Sequence, residues 1–125
     1  MIVDTNALSA WLGEDKNLAI VLAEAPQLIL SSIVLGEYRF GVKTSKYAKL
    51  FNAQLDALEE DFDVAKIDGR TAGHYADIRF ELKRAGTPIP WHDIWIAAQA
   101  RQLGLPVLSN DRHFDCVAGL KRIGW

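Results

Sequence analysis

Short apolar runs alternate with helix-period stripes along this chain. Met1-Ile2-Val3 opens it as a strand over residues 1–4, and a helical pattern begins at Asn6-Ala7-Leu8. A second short helix is predicted from Lys16 to Ala25, closed by Pro26, before the buried strand Leu28-Ile29-Leu30-Ser31. Ser32 is the expected N-cap of the next helix, whose pattern runs on through Tyr47 and Phe51 to Leu58. Phe62 to Ile67 alternates polar and apolar residues and is the third strand. Helices over Thr71–Arg84 and His92–Leu103 end at Gly86 and Gly104, with Pro88 and Pro90 in the loop between them. Val107-Leu108-Ser109 is the fourth strand, and Leu120 to Ile123 a short last one. Strands alternating with helices predict an α/β fold, a central parallel sheet with right-handed crossovers and helices on both faces. Ligands of such sheets sit beyond the carboxyl ends of the strands.

Four acids break this pattern: Asp4, Glu37, Asp93 and Asp111. Asp4 and Asp111 directly follow apolar runs, so they project from the carboxyl ends of strands. Glu37 shares a helix face with Ile33, Val34, Phe40 and Gly41, and Asp93 shares one with Ile96, Ala97 and Ala100. Both helical acids are expected to point toward the core. A helix-start acid favoured by the macrodipole is the bland reading of each. A carboxylate on an apolar face is costly unless a positive charge neutralises it, and no Lys or Arg is placed to serve all four. One bound divalent cation would.

The chain has 125 residues, the size of one domain, and 50% of them are apolar. One domain over residues 1–125 is expected, with no repeat, linker or low-complexity tract. A formal net charge of −2 carries no global basic signature for nucleic acid. Cys116 is the only cysteine, so no intrachain disulfide forms and a reducing compartment is expected. No apolar stretch approaches the roughly 20 residues that span a bilayer. The first strand at Met1 leaves no room for a signal peptide, and the expected location is cytoplasmic, with no membrane partner.

A donor set of carboxylates favours Mg²⁺ or Mn²⁺ over zinc. Such ions activate water and hold phosphate oxygens without a covalent nucleophile. Neither a Gly-x-Ser-x-Gly elbow nor a glycine-rich phosphate loop is present. His74, His92 and His113 lack metal-ligand spacing; His74 is read as a helix-surface residue, and His92 stands out only for adjoining Asp93.

Val3-Asp4-Thr5-Asn6, Glu37-Tyr38-Arg39-Phe40-Gly41, Asp93-Ile94-Trp95-Ile96-Ala97-Ala98 and Leu108-Ser109-Asn110-Asp111-Arg112-His113-Phe114 occur in that order over essentially the whole length. In this set the chain resembles the PIN-domain family, and within it the VapC-type toxin ribonucleases. The resemblance implies a PIN-like fold and a Mg²⁺-dependent (Mn²⁺ as substitute) endoribonuclease. It implies the toxin of a type II toxin–antitoxin pair, a cognate VapB-like antitoxin, an RNA substrate and a homodimer. It carries catalysis and metal binding onto Asp4, Glu37, Asp93 and Asp111, with Asn6 and Ser109 as polar neighbours that orient the acids. Ser109 departs from the threonine usual there but keeps the hydroxyl. His92, Trp91 and Trp95 are departures in bulk.

Arg39, Lys43 and Lys46, extended by Lys49, fall on one helical stripe that could track RNA phosphates; an ordinary solvated face is the alternative. Exposed tryptophans could stack on bases. Asp115 could be an outer ligand or a solvated loop acid. Two competing functions stay open here: a non-catalytic PIN-like RNA- or protein-binding module, and a phosphotransfer domain. The second usually needs an acidic pair after strand 1, and Asp4-Thr5-Asn6 lacks the second acid.

Overall fold

The computed structural model describes residues 1–125. Its strands are short: β1 (Ile2–Val3), β2 (Ile29–Ser31), β3 (Asp63–Ala65), β4 (Val107–Leu108) and β5 (Arg122–Ile123). They form one sheet in the order β3-β2-β1-β4-β5, with every pairing parallel. Ile2 and Val3 point to opposite faces of β1, and both are fully buried. Helices therefore cover both faces, as a parallel sheet requires. The order reverses at the β1–β4 pair, which is where such sheets open a crevice for ligands.

Six helices connect the strands: α1 (Thr5–Leu12), α2 (Lys16–Glu24), α3 (Ser32–Val42), α4 (Ala48–Asp61), α5 (Gly69–Ala85) and α6 (Trp91–Leu103). Their ends follow capping chemistry. The Asp68 side chain accepts from the Arg70 and Thr71 amides and starts α5. Gly86 and Gly104 end α5 and α6 in the left-handed conformation, at φ 70° and 66°, which glycine adopts without a Cβ penalty. α6 is the most buried helix, with Ile94, Ile96, Ala97, Ala98, Gln99 and Ala100 all inside.

Three expectations need correction. The cap of α3 is Ser31, not Ser32; its hydroxyl accepts from the Ile33 and Val34 amides. The helical pattern from Glu37 to Leu58 is broken into α3 and α4 by a turn over residues 43–47. There the Ser45 hydroxyl accepts from the Tyr47 amide, a local bond that competes with helix continuation. Finally, β3 is shorter than the alternating run from Phe62 to Ile67, because only Asp63–Ala65 has a partner on β2.

A buried polar clamp ties the helices to the sheet. Gln99 of α6 is 1% exposed. Its Oε1 accepts from the Ser31 hydroxyl at 2.6 Å, and its Nε2 donates to the Ala65 carbonyl at 2.9 Å. The same Ser31 caps α3. One side chain thus sets α6, which carries Asp93, against the start of α3, which carries Glu37.

Candidate active site

Asp4 leaves the carboxyl end of β1 and is 3% exposed. Two donors hold its Oδ2: the Ser109 hydroxyl and the Asn6 side-chain amide, each at 2.7 Å. Ser109 lies just past β4, the strand beside β1, so the switch point brings together residues 105 positions apart. The Ser109 hydroxyl also accepts from the Asp111 amide at 2.9 Å, and Asn6 Oδ1 accepts from the Asn110 amide at 3.1 Å. Asn6 and Ser109 therefore knit the ends of β1 and β4 together and aim Asp4 and Asp111 to the same side.

Asp93 sits in the first turn of α6 and is 5% exposed. His113 Nδ1 lies 3.0 Å from Asp93 Oδ2 and 3.2 Å from Asp111 Oδ2. Glu37 enters from α3, and its Oε2 accepts from the Thr5 hydroxyl at 2.7 Å. His92 stands between the helical acids, with Nδ1 3.6 Å from Glu37 Oε1 and Nε2 3.5 Å from Asp93 Oδ1. Asp93 and Asp111 thus meet around His113, Asp4 lies near enough to feel both charges, and Glu37 joins them through His92, so the four acids line one edge of the sheet. None forms an ion pair with Lys or Arg; the arginine pairs join Arg39 to Asp56 and Glu59, Arg101 to Glu81, and Arg122 to Asp115.

The electrostatics follow from that placement. Burial raises the Asp4 carboxyl above the ordinary carboxylate range; the Ser109 hydrogen bond opposes this, while the charges of Asp93 and Asp111 add to it. Burial likewise raises Asp93, with the His113 hydrogen bond opposing and Asp111 adding. Clustered carboxylates with raised affinity for protons also have raised affinity for a cation. The donors suit a divalent ion: Asp93, Asp111 and His113 each offer an atom within 4.8 Å of the others.

Other candidates fare differently. Glu37 is only half-buried, and Phe40, expected on its core face, is 78% exposed. The buried residues of α3 are Val34, Leu35 and Val42, which leaves Glu37 at the rim of that stripe. The basic stripe does not hold together. Arg39 bonds Asn52, Asp56 and Glu59 on α4, while Lys43 and Lys46 lie beyond the end of α3. Asp115 is bidentate with Arg122, at 2.8 and 3.1 Å, so its charge is taken. Trp91 is 74% exposed at the start of α6.

Two further residues at this edge, His113 and Thr5, carry little signal in the sequence. His113 has no His-x-His spacing, yet the 3₁₀ turn over Arg112–Cys116 folds it back beside Asp111. Its position two residues after a candidate acid was the available signal. Thr5 belongs to the Val3-Asp4-Thr5-Asn6 motif, and its bond to Glu37 crosses from α1 to α3.

Comparison with known proteins places this geometry in context. The PIN-domain family model matches residues 1–120. The tRNA(fMet)-specific endonuclease VapC of Shigella flexneri is 33% identical over 100 residues, covering 79% of this chain and 76% of the relative. The DNA-bound VapBC crystal structure from Salmonella typhimurium superposes with a TM-score of 0.88 at 28% identity, covering 99% of this chain and 96% of that one. VapBC-5 from Mycobacterium tuberculosis, described as a member of the VapBC family of toxin–antitoxin systems, gives 0.71 at 25% identity, covering 98% and 94%.

Proposed function

The chain belongs to the PIN-domain family and to its VapC ribonucleases, and from that premise we propose that Asp4, Glu37, Asp93 and Asp111 form a divalent-metal site that hydrolyses RNA. The protein is the toxin of a toxin–antitoxin pair and its partner is a VapB-like antitoxin, in keeping with the assemblies its solved relatives form. The observation that carries the active-site assignment is the convergence of these acids, two of them buried, at the sheet's switch point with no Lys or Arg partner.

The residues fit a hard cation, because the acids supply oxygen donors and two of them stay desolvated. When bound, Mg²⁺ or Mn²⁺ supplies Lewis-acid chemistry: a lower pKa for a water molecule and neutralised charge on a phosphodiester. The chain's own residues do the positioning. Ser109 and Asn6 fix the plane of the Asp4 carboxylate, Thr5 fixes Glu37, and the buried body of α6 fixes Asp93. His92, half-exposed, stands between Glu37 and Asp93 at the mouth of the site. RNA is expected to approach over this mouth, where the Asp111 and His92 side chains are 38% and 52% exposed.

The test is cleavage of RNA by the purified protein with Mg²⁺ or Mn²⁺, with and without EDTA. Cleavage stopped by EDTA, leaving 5′-phosphate and 3′-hydroxyl ends, is the expected result, since water rather than the ribose 2′-hydroxyl attacks. Cyclic 2′,3′-phosphate ends with activity surviving EDTA would overturn the metal-site reading.

A further inference from the structure

The most specific feature of the edge is a histidine that the four-acid reading does not use. We propose that His113 is a metal ligand, so that this site holds its cation through an imidazole nitrogen as well as carboxylates and selects Mn²⁺ over Mg²⁺. The proposal rests on the metal-site reading above and deepens it.

The fold builds the position deliberately. Asp111 caps the 3₁₀ turn: its Oδ1 accepts from the His113 amide at 2.9 Å, which leaves Oδ2 for the cluster. Phe114, the next residue, is fully buried and anchors the turn from below. His113 is thereby held on the outer side with Nδ1 toward two different carboxylates, Asp93 Oδ2 at 3.0 Å and Asp111 Oδ2 at 3.2 Å. One Nδ1–H shared between both oxygens makes a bent three-centre bond in place of a well-aligned one. A cation can serve all three atoms together. Adjacent ligands of an octahedral ion with bonds of about 2.1 Å lie about 3.0 Å apart, close to both separations.

The chemical consequence is selectivity. Mg²⁺ prefers an all-oxygen shell and keeps its waters, whereas imidazole is a good donor to first-row transition ions. One nitrogen among carboxylates therefore favours Mn²⁺ more than it favours Mg²⁺. His92 does not offer the same arrangement: its nitrogens lie 3.5 and 3.6 Å from one carboxylate each.

The experiment is pulsed electron paramagnetic resonance of the Mn²⁺-loaded protein, paired with calorimetric titration by Mn²⁺ and by Mg²⁺. Wild type, His113→Gln and His92→Gln are compared. His113 is exposed, so the variant is expected to fold, and an unchanged melting temperature in EDTA verifies that. We expect ¹⁴N coupling in wild type and His92→Gln and its loss in His113→Gln. Mn²⁺ affinity should fall about tenfold in His113→Gln, the scale of one ligand-related partner, while Mg²⁺ affinity changes by less than about threefold. Mn²⁺ binding without nitrogen coupling, or coupling that vanishes only in His92→Gln, overturns the proposal and leaves the acidic site standing. An equal loss for both ions makes His113 a positioning residue and also overturns it. Absence of Mn²⁺ binding to wild type overturns the metal-site reading itself.

Discussion

Carboxylates occupy two contrasting regions of this molecule. On the outer surface Glu81 pairs with Arg101 and Asp115 with Arg122, and their arginine hydrogen bonds hold both acids below the ordinary carboxylate range. At the carboxyl edge of the sheet Asp4 and Asp93 are buried, face other acids, and are raised instead. The same functional group is thus settled in one place and left short of positive charge in the other. Surface pairs of the first kind contribute little to stability, a median of about 0–1 kcal/mol. The edge acids cost stability in the absence of a cation, because they are desolvated and face one another. The difference between the regions is in their surroundings: strand ends and an apolar helix face at the edge, solvent and arginines outside.

Activity should separate the regions most sharply. Asp4→Asn is expected to lower RNA cleavage by on the order of 10²-fold, the scale of losing one electrostatic stabiliser. Glu81→Gln should leave the rate within about twofold, since surface changes away from a site are usually mild. Comparable losses in the two variants, measured as initial rates on one RNA, would erase the distinction.

Metal loading comes next in size. Mn²⁺ at a hundredfold its dissociation constant should stabilise the wild type by about 2.7 kcal/mol, because it binds the folded site. By differential scanning fluorimetry this is a rise of roughly 10 °C. Asp93→Asn should lose more than half of the rise, and Glu81→Gln none of it. An equal rise in all three proteins would put the metal elsewhere.

The pH dependence of the EDTA-treated protein has opposite signs in the two regions. For Asp4 and Asp93, folded pKa values above the unfolded value of about 3.9 give stability that is full below that value. It is lost as pH rises through the raised values. For Glu81 and Asp115 stability is present above the ordinary value and lost as pH falls through their lowered ones. Asp4→Asn should therefore melt above wild type at pH 7, with the gap closing as pH falls toward the unfolded value of about 3.9. Glu81→Gln should melt at or slightly below wild type at pH 7. A gap for Asp4→Asn that stays constant across the range would mean that burial does not raise this acid.

The smallest effect tests the stripe. Arg39 is tied to Asn52, Asp56 and Glu59, so Arg39→Ala should change RNA cleavage by less than about twofold. A loss of tenfold or more would show that the α4 acids release Arg39 to RNA.

The alternation of apolar runs with helical stripes, the glycine helix ends and the oddness of Asp4 and Asp93 on apolar ground are visible in the sequence. They depend on local rules: side-chain periodicity, backbone conformation and the cost of burying charge. Asp93 was the clearest, since its helix neighbours Ile96, Ala97 and Ala100 are themselves buried. What tertiary structure alone decided was who touches whom. His113 reaches Asp93 across 20 positions, Thr5 reaches Glu37 across 32, and Ser31 meets Gln99 across 68. Arg39 was lost to Asp56, 17 positions on, because the turn at residues 43–47 folds α4 back beside α3. A chain can announce locally that a charge is out of place. Which group answers that charge depends on how strands and helices are brought side by side, and that is settled only when the sheet assembles with its helices.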